Sequence, residues 1–114
     1  MNLPNAENAK VEKEKIAGYL LNASHPYGGS KAIFFTRFGF STEAWEAFAE
    51  RLRDHGSNHP VSRLTETLFG PRYNVDGNIV TPDGRNPTIR TVWQMDNGEL
   101  APRLITAYPL EELA

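Results

Sequence analysis

Thr88-Ile89-Arg90-Thr91-Val92-Trp93-Gln94-Met95-Asp96-Asn97-Gly98-Glu99-Leu100 is the stretch that decides the fold, together with its return, Ala101-Pro102-Arg103-Leu104-Ile105-Thr106-Ala107-Tyr108-Pro109. β-Branched and aromatic residues flank Asn97-Gly98, a dipeptide that supplies the positive φ values of a type I′ turn, so the sequence predicts an antiparallel hairpin. A two-residue loop sets Met95 opposite Leu100, Trp93 opposite Pro102, Thr91 opposite Leu104 and Ile89 opposite Thr106. Arg90, Val92, Arg103 and Ile105 then share the other face, and a single bulge would invert the division.

Upstream, the alternation of Val61, Arg63, Thr65 and Thr67 with Ser62, Leu64, Glu66 and Leu68 has the period of two of a half-buried strand. Short strands are expected at Arg72 to Val75 and at Asn78-Ile79-Val80, with turns at Asp76-Gly77 and Pro82-Asp83-Gly84-Arg85. Before Val61 the period is helical. Val11, Ile16, Leu20 and Leu21 predict an amphipathic helix of about ten residues. Ser30 is placed to cap a second helix from Lys31 to Phe38, ended by Gly39. A third runs from Thr42 to His55, with Trp45, Phe48, Ala49 and Leu52 on one stripe and Gly56 closing it. Helices first and antiparallel strands second make an α+β fold, two or three N-terminal helices packed on one face of a four-stranded antiparallel sheet. The 114 residues suit one domain, 1–114, in which residues 1–10, with Pro4 and three asparagines, form an extended arm.

A net charge of −2 means that the whole-molecule field would not draw nucleic acid, so any RNA contact must be a local patch. The absence of cysteine excludes disulfides, thiolate metal sites and cysteine nucleophiles. No segment reaches the roughly 20 apolar residues of a membrane span and none near Met1 reads as a signal peptide, so the expectation is a cytoplasmic protein without membrane contact. Asp76, Asp83 and Asp96 stand in glycine-containing turns without metal-ligand spacing, and the three histidines lack it as well, so neither metal nor cofactor is expected. Oligomeric state is not legible.

The chemistry-bearing residues fall in two separated segments. His25-Pro26-Tyr27-Gly28-Gly29-Ser30-Lys31 offers an imidazole, an ammonium and helix-start amides able to hold an oxyanion, with Tyr27 a stacking surface. The hairpin offers Arg90, Thr91, Arg103, Thr106 and Tyr108. Arg90 and Arg103 on one face would need an anion, or carboxylates such as Glu66 or Glu99, between them. His55 and His59 are expected at a helix end or on the surface.

Three blocks, Leu3-Pro4-Asn5-Ala6-Glu7-Asn8-Ala9, His25-Pro26 with Gly29-Ser30-Lys31-Ala32, and Arg90-Thr91-Val92-Trp93 with Thr106-Ala107-Tyr108-Pro109, resemble a small bacterial domain family of no assigned activity. The helices leading into a four-stranded sheet that ends in Ile105-Thr106-Ala107-Tyr108-Pro109 are similar to the Barnase–EndoU–colicin–RelE superfamily of ribonuclease toxins. That resemblance implies metal-independent RNA cleavage with His25, Lys31, Arg90, Thr106 and Tyr108 as catalytic residues and Thr91 beside them; by residue type and position, Tyr27, Gly29, Ser30 and Arg103 are expected to join Thr91 in binding substrate. The implied partners are RNA and a cognate antitoxin or immunity protein. Two other readings stay open: a non-catalytic interaction module, the immunity- or antitoxin-like partner of a toxin or an accessory domain, whose negative charge suits docking on a basic nuclease, and an enzyme that uses the same anion-binding groups on a small phosphorylated metabolite.

Overall fold

The computed structural model describes residues 1–110; the last four residues of the expected 1–114 domain lie outside them. Three α-helices, α1 (Lys13–Lys15), α2 (Gly29–Arg37) and α3 (Trp45–Asn58), precede four strands, β1 (Val61–Thr67), β2 (Gly70–Asn78), β3 (Thr88–Gln94) and β4 (Arg103–Pro109). The strands form one antiparallel sheet in the order β1-β2-β3-β4, the expected α+β arrangement. No helix among the described residues is long and apolar enough to cross a membrane.

Residues 1–10 touch both edges of the sheet. Met1 accepts a hydrogen bond from the Val61 amide at 2.7 Å, and Lys10 bonds to Pro102 and Leu104 across an isolated bridge beside β4. Leu3 and Ala9 are buried, with a 3-10 turn at Ala6–Asn8 between them.

The ten-residue first helix is instead one α-turn followed by a π-helical segment, Ile16–Leu20, closed by a hydrogen bond from the Leu21 amide to the Ile16 carbonyl at 2.8 Å. The widened turn lets Ile16, Leu20 and Leu21 all enter the core and leaves Tyr19 half-buried at its margin. Helix α2 begins earlier than expected, at Gly29, with Gly28 rather than Ser30 at its cap position; Gly39, at φ +103°, ends it as its sequence suggests. Helix α3 continues through Gly56 to Asn58, and the glycine there makes room for the Trp93 indole, which lies 2.8 Å from an ideal Cβ. The core gathers Phe35, Phe40, Phe48 and Leu52 under the sheet residues Val75, Ile89, Trp93, Leu104 and Ala107.

Strand β2 runs straight through Asp76-Gly77, where a turn was expected, and ends before Ile79. In the connection after β3 the Glu99 amide bonds to Asp96 at 2.9 Å, and Gly98 alone of the central pair has positive φ, +82°, so the turn is not type I′. The strands stop at Gln94 and Arg103, short of the expected tip.

The register then decides what each face carries. Arg90 pairs with Tyr108, Thr91 with Ala107 and Val92 with Thr106, but Trp93 pairs with Leu104, so Ile105 is an extra residue in β4. This bulge keeps Leu104 and Ala107 on the core face and turns Thr106 and Tyr108 to the opposite one, beside Arg90.

His55 corrects another expectation: it is buried, not a surface residue. Its Nε2 lies 3.0 Å from the Gly77 carbonyl, which can only accept, so Nδ1 accepts from the Thr91 hydroxyl at 3.0 Å, and that oxygen accepts from Trp93 Nε1 at 2.8 Å. Burial, with the nearby His59, pushes the imidazole down to about 4, against the hydrogen bond to Gly77. Because the unfolded chain binds this proton at higher pH than the folded one, stability is present above the ordinary histidine value of 6.5 and is lost as pH falls toward 4. The loss should reach roughly 3 kcal/mol, read as a falling urea midpoint between pH 7 and pH 4. His55→Gln should flatten that slope. Asp76, Asp83 and Asp96, held below 3.8 by hydrogen bonds and arginines, act only at lower pH.

Candidate functional site

The site forms where the start of α2 and the π-helical segment meet β4. Lys31, in the first turn of α2, reaches Tyr19 Oη at 2.5 Å and Thr106 Oγ1 at 3.2 Å; the two hydroxyls are 3.1 Å apart. The Lys31 ammonium also lies over the rings of Tyr19, 5.0 Å from the centroid, and Tyr108, at 5.9 Å. Among the described residues no carboxylate lies within ion-pair distance of Lys31. Burial raises the Tyr19 phenol, but hydrogen bonds to Lys31 and Thr106 and the charges of Lys31 and Lys15 outweigh it, so it ionises more easily than an ordinary tyrosine.

The cluster depends on three local devices. The bulge at Ile105 aims Thr106 at Lys31. The π turn presents Tyr19 beside α2. Gly28 lets the loop close on Tyr19: an ideal Cβ there would stand 2.7 Å from both the Tyr19 ring and its carbonyl oxygen. Gly28→Ala must therefore push the phenol off Lys31. We expect about 1–3 kcal/mol of lost stability, read by urea unfolding, together with loss of the Tyr19–Lys31 contact.

His25 leans edge-on against Tyr19, ring centroids 4.9 Å apart. Its Nδ1 accepts two backbone hydrogen bonds, from the Tyr27 and Gly28 amides, each at 3.0 Å. The neutral ring therefore carries its proton on Nε2 and presents an N–H donor.

Arg90 projects onto the same face as Tyr108 and Thr106 but is not a bare cation. Asp76, its register partner on β2, takes Nε at 2.7 Å and Nη2 at 2.9 Å, while Nη1 points to Tyr108 Oη at 3.4 Å. Each group holds the other ionised: the bidentate bond lowers Asp76 and raises Arg90. The residue sequence reasoning assigned to a turn is thus the carboxylate that fixes the guanidinium.

Of the expected residues, Lys31, Thr106 and Tyr108 come together, with Arg90 and His25 at the margins. Tyr27 is exposed, its ring 6.0 Å from that of His25; Ser30 is exposed on the first turn of α2, and Gly29 starts that helix against the Ala23 carbonyl. Two residues do not belong. Thr91 is fully buried on the core face, its hydroxyl taken by His55 and Trp93. Arg103 is not beside Arg90 and pairs with neither Glu66 nor Glu99; it stands opposite Gln94 and pairs with Asp96 at 2.7 Å. Tyr19 is not among the expected site residues: it stands beside Leu20 and Leu21 in the first helical stretch, and nothing local marks it. Among the described residues no group of histidine, aspartate and glutamate side chains is arranged to hold a metal. A hollow of about 290 Å3, lined by Arg51, Asp54, His59 and neighbours, shares no residue with the cluster.

The chain belongs to the family described as Domain of unknown function (DUF6883), which matches residues 2–111. No curated protein matches it. Among solved structures it is similar to a chain of a contact-dependent growth inhibition toxin - immunity protein complex from Klebsiella pneumoniae 342, with a TM-score of 0.70 at 17% identity, over 94% of this chain and 97% of that one. At that identity the likeness is one of fold.

Proposed function

We propose that the protein is a metal-independent endoribonuclease of toxin type, a member of the Barnase–EndoU–colicin–RelE group, neutralised by a cognate immunity protein. The observation that carries this reading is the contact between an ammonium without an ion pair among the described residues, Lys31, and a phenol of lowered pKa, Tyr19, on a half-buried margin with Thr106 and Tyr108. The fold shared with a chain from a toxin - immunity protein complex supports it.

In this mechanism the Tyr19 phenolate takes the proton of the ribose 2′-hydroxyl while O2′ attacks the adjacent phosphorus. The P–O5′ bond breaks, and the Lys31 ammonium, which has stabilised the pentacoordinate anion, gives a proton to O5′. The proton on Tyr19 then passes to Lys31 across their short hydrogen bond, restoring both groups. The products are a 2′,3′-cyclic phosphate and a 5′-hydroxyl. His25 Nε2–H and the Tyr108 hydroxyl, the latter oriented by Arg90, donate to the non-bridging oxygens. Asp76 keeps Arg90 in place and moderates its charge, in keeping with binding that relies on one cation rather than a broad basic surface.

Inducible expression in bacteria tests the reading. Wild type should arrest growth and fragment total RNA, and Lys31→Met should do neither. Normal growth with intact RNA in both strains would favour the interaction module.

A further inference from the structure

The sheet face that carries Arg90 and Tyr108 continues past them. Two register positions toward the end of β2, Asn78 pairs with Thr88, and the Leu110 amide bonds to the Thr88 carbonyl at 3.1 Å. This row stands two residues, about 7 Å, from the Asp76–Arg90–Tyr108 row and shares its face. Phe34 on α2 and Phe38 at its C-cap follow Lys31 three and seven residues on. Between helix and strands lies a hollow of about 420 Å3, reached by Phe34, Phe38, Asn78, Arg85, Thr88 and Leu110.

Arg85 gives this hollow a built surface. Its guanidinium lies over the Phe38 ring, 4.3 Å from the centroid, and is held there by Asp83, at 2.6 Å, and by the Arg37 carbonyl, at 2.8 Å. The side chain is nonetheless 61% exposed, so the outer face of the plane is open. Asn78 and Asn86 flank it. Asn78 Nδ2 is spent on the Asn86 carbonyl and Asn86 Oδ1 on the Thr81 amide, while Asn78 Oδ1 and Asn86 Nδ2 have no hydrogen-bond partner among the described residues.

We propose that this hollow is a nucleobase subsite, seating the base of a nucleotide next to the phosphodiester held at Lys31 and stacking it on the Arg85 guanidinium. A clamped plane facing outward, one amide acceptor and one amide donor are what a flat heteroaromatic ring with polar edges requires. Along α2 the hollow opens one turn beyond Lys31, at Phe34, and along β4 it lies just past Tyr108, at Pro109 and Leu110, a placement that suits the base of a nucleotide adjoining the phosphodiester. The inference rests on the ribonuclease reading, and it names the part of the substrate that Lys31 and Tyr19 do not touch.

The test compares short RNAs in which the nucleotide on one or the other side of the scissile phosphate lacks its base. Wild type should lose about 10- to 100-fold in kcat/KM when one of the two bases is removed. Arg85→Lys, which keeps the charge and loses the plane, should cleave both RNAs at the rate of wild type on the abasic one. Equal cleavage of intact and abasic RNA by wild type would overturn the subsite and leave the ribonuclease standing. If wild type cleaves nothing, binding of a 2′-O-methylated dinucleotide, followed by amide NMR shifts at Asn78, Arg85 and Asn86, decides. Shifts that require the base keep the subsite without the nuclease; their absence removes both.

Discussion

Tyr19→Phe should slow RNA cleavage by about 10²- to 10⁴-fold while leaving the folded protein intact. The change removes one oxygen, the atom that Lys31 reaches at 2.5 Å and Thr106 at 3.1 Å, and leaves the ring against Gly28 and His25. Both partners are part-exposed and can turn to water, so the stability cost should stay near 1 kcal/mol. The pH profile separates loss of a base from loss of a contact. With the phenol lowered from its ordinary value, the wild-type rate should climb with pH along a limb whose midpoint lies below 10.0, whereas the residual Tyr19→Phe rate should lack that limb. A variant that kept the limb would assign the proton transfer elsewhere.

Lys31→Met should be at least as damaging, on the order of 10³-fold, because it removes both the charge facing the anion and the proton for O5′. It carries a second, independent expectation. Burial alone raises the Tyr19 phenol, and the lysine is its main counterweight, so without Lys31 its titration should move upward. This is readable from the Cζ resonance of Tyr19 without any substrate. As the two residues act as a unit, the double variant should be little slower than either single one. Multiplying losses would instead mean separate roles.

The order of elements was legible because hydrophobic period switches once, near Val61, from helical to alternating. Lys31, Thr106 and Tyr108 were legible as residue types next to flexible or strand-forming sequence. Their meeting was not. It rests on the Ile105 bulge, and no turn signal announces an extra residue in β4; the register counted from Asn97-Gly98 put Thr106 on the wrong face. Asp76 and Gly56 failed for a shared reason. Each has a strong local preference, for a turn and for a helix end, that tertiary packing overrode: β2 continues to pair with β3 through Asp76-Gly77, and Trp93 fills the space beside Gly56. Tyr19 lies 87 residues from Thr106, and periodicity has nothing to say about a contact of that range. The π segment that offers it has no signature in Ile16-Ala17-Gly18-Tyr19-Leu20 beyond an apolar face.

The most direct measurement is the identity of the RNA ends made by purified wild-type protein in excess chelator, read by mass spectrometry. The ends should be 2′,3′-cyclic phosphates and 5′-hydroxyls, with no cut at a position carrying a 2′-deoxyribose. Uncut RNA, or ends bearing 3′-hydroxyls and 5′-phosphates, would contradict the mechanism.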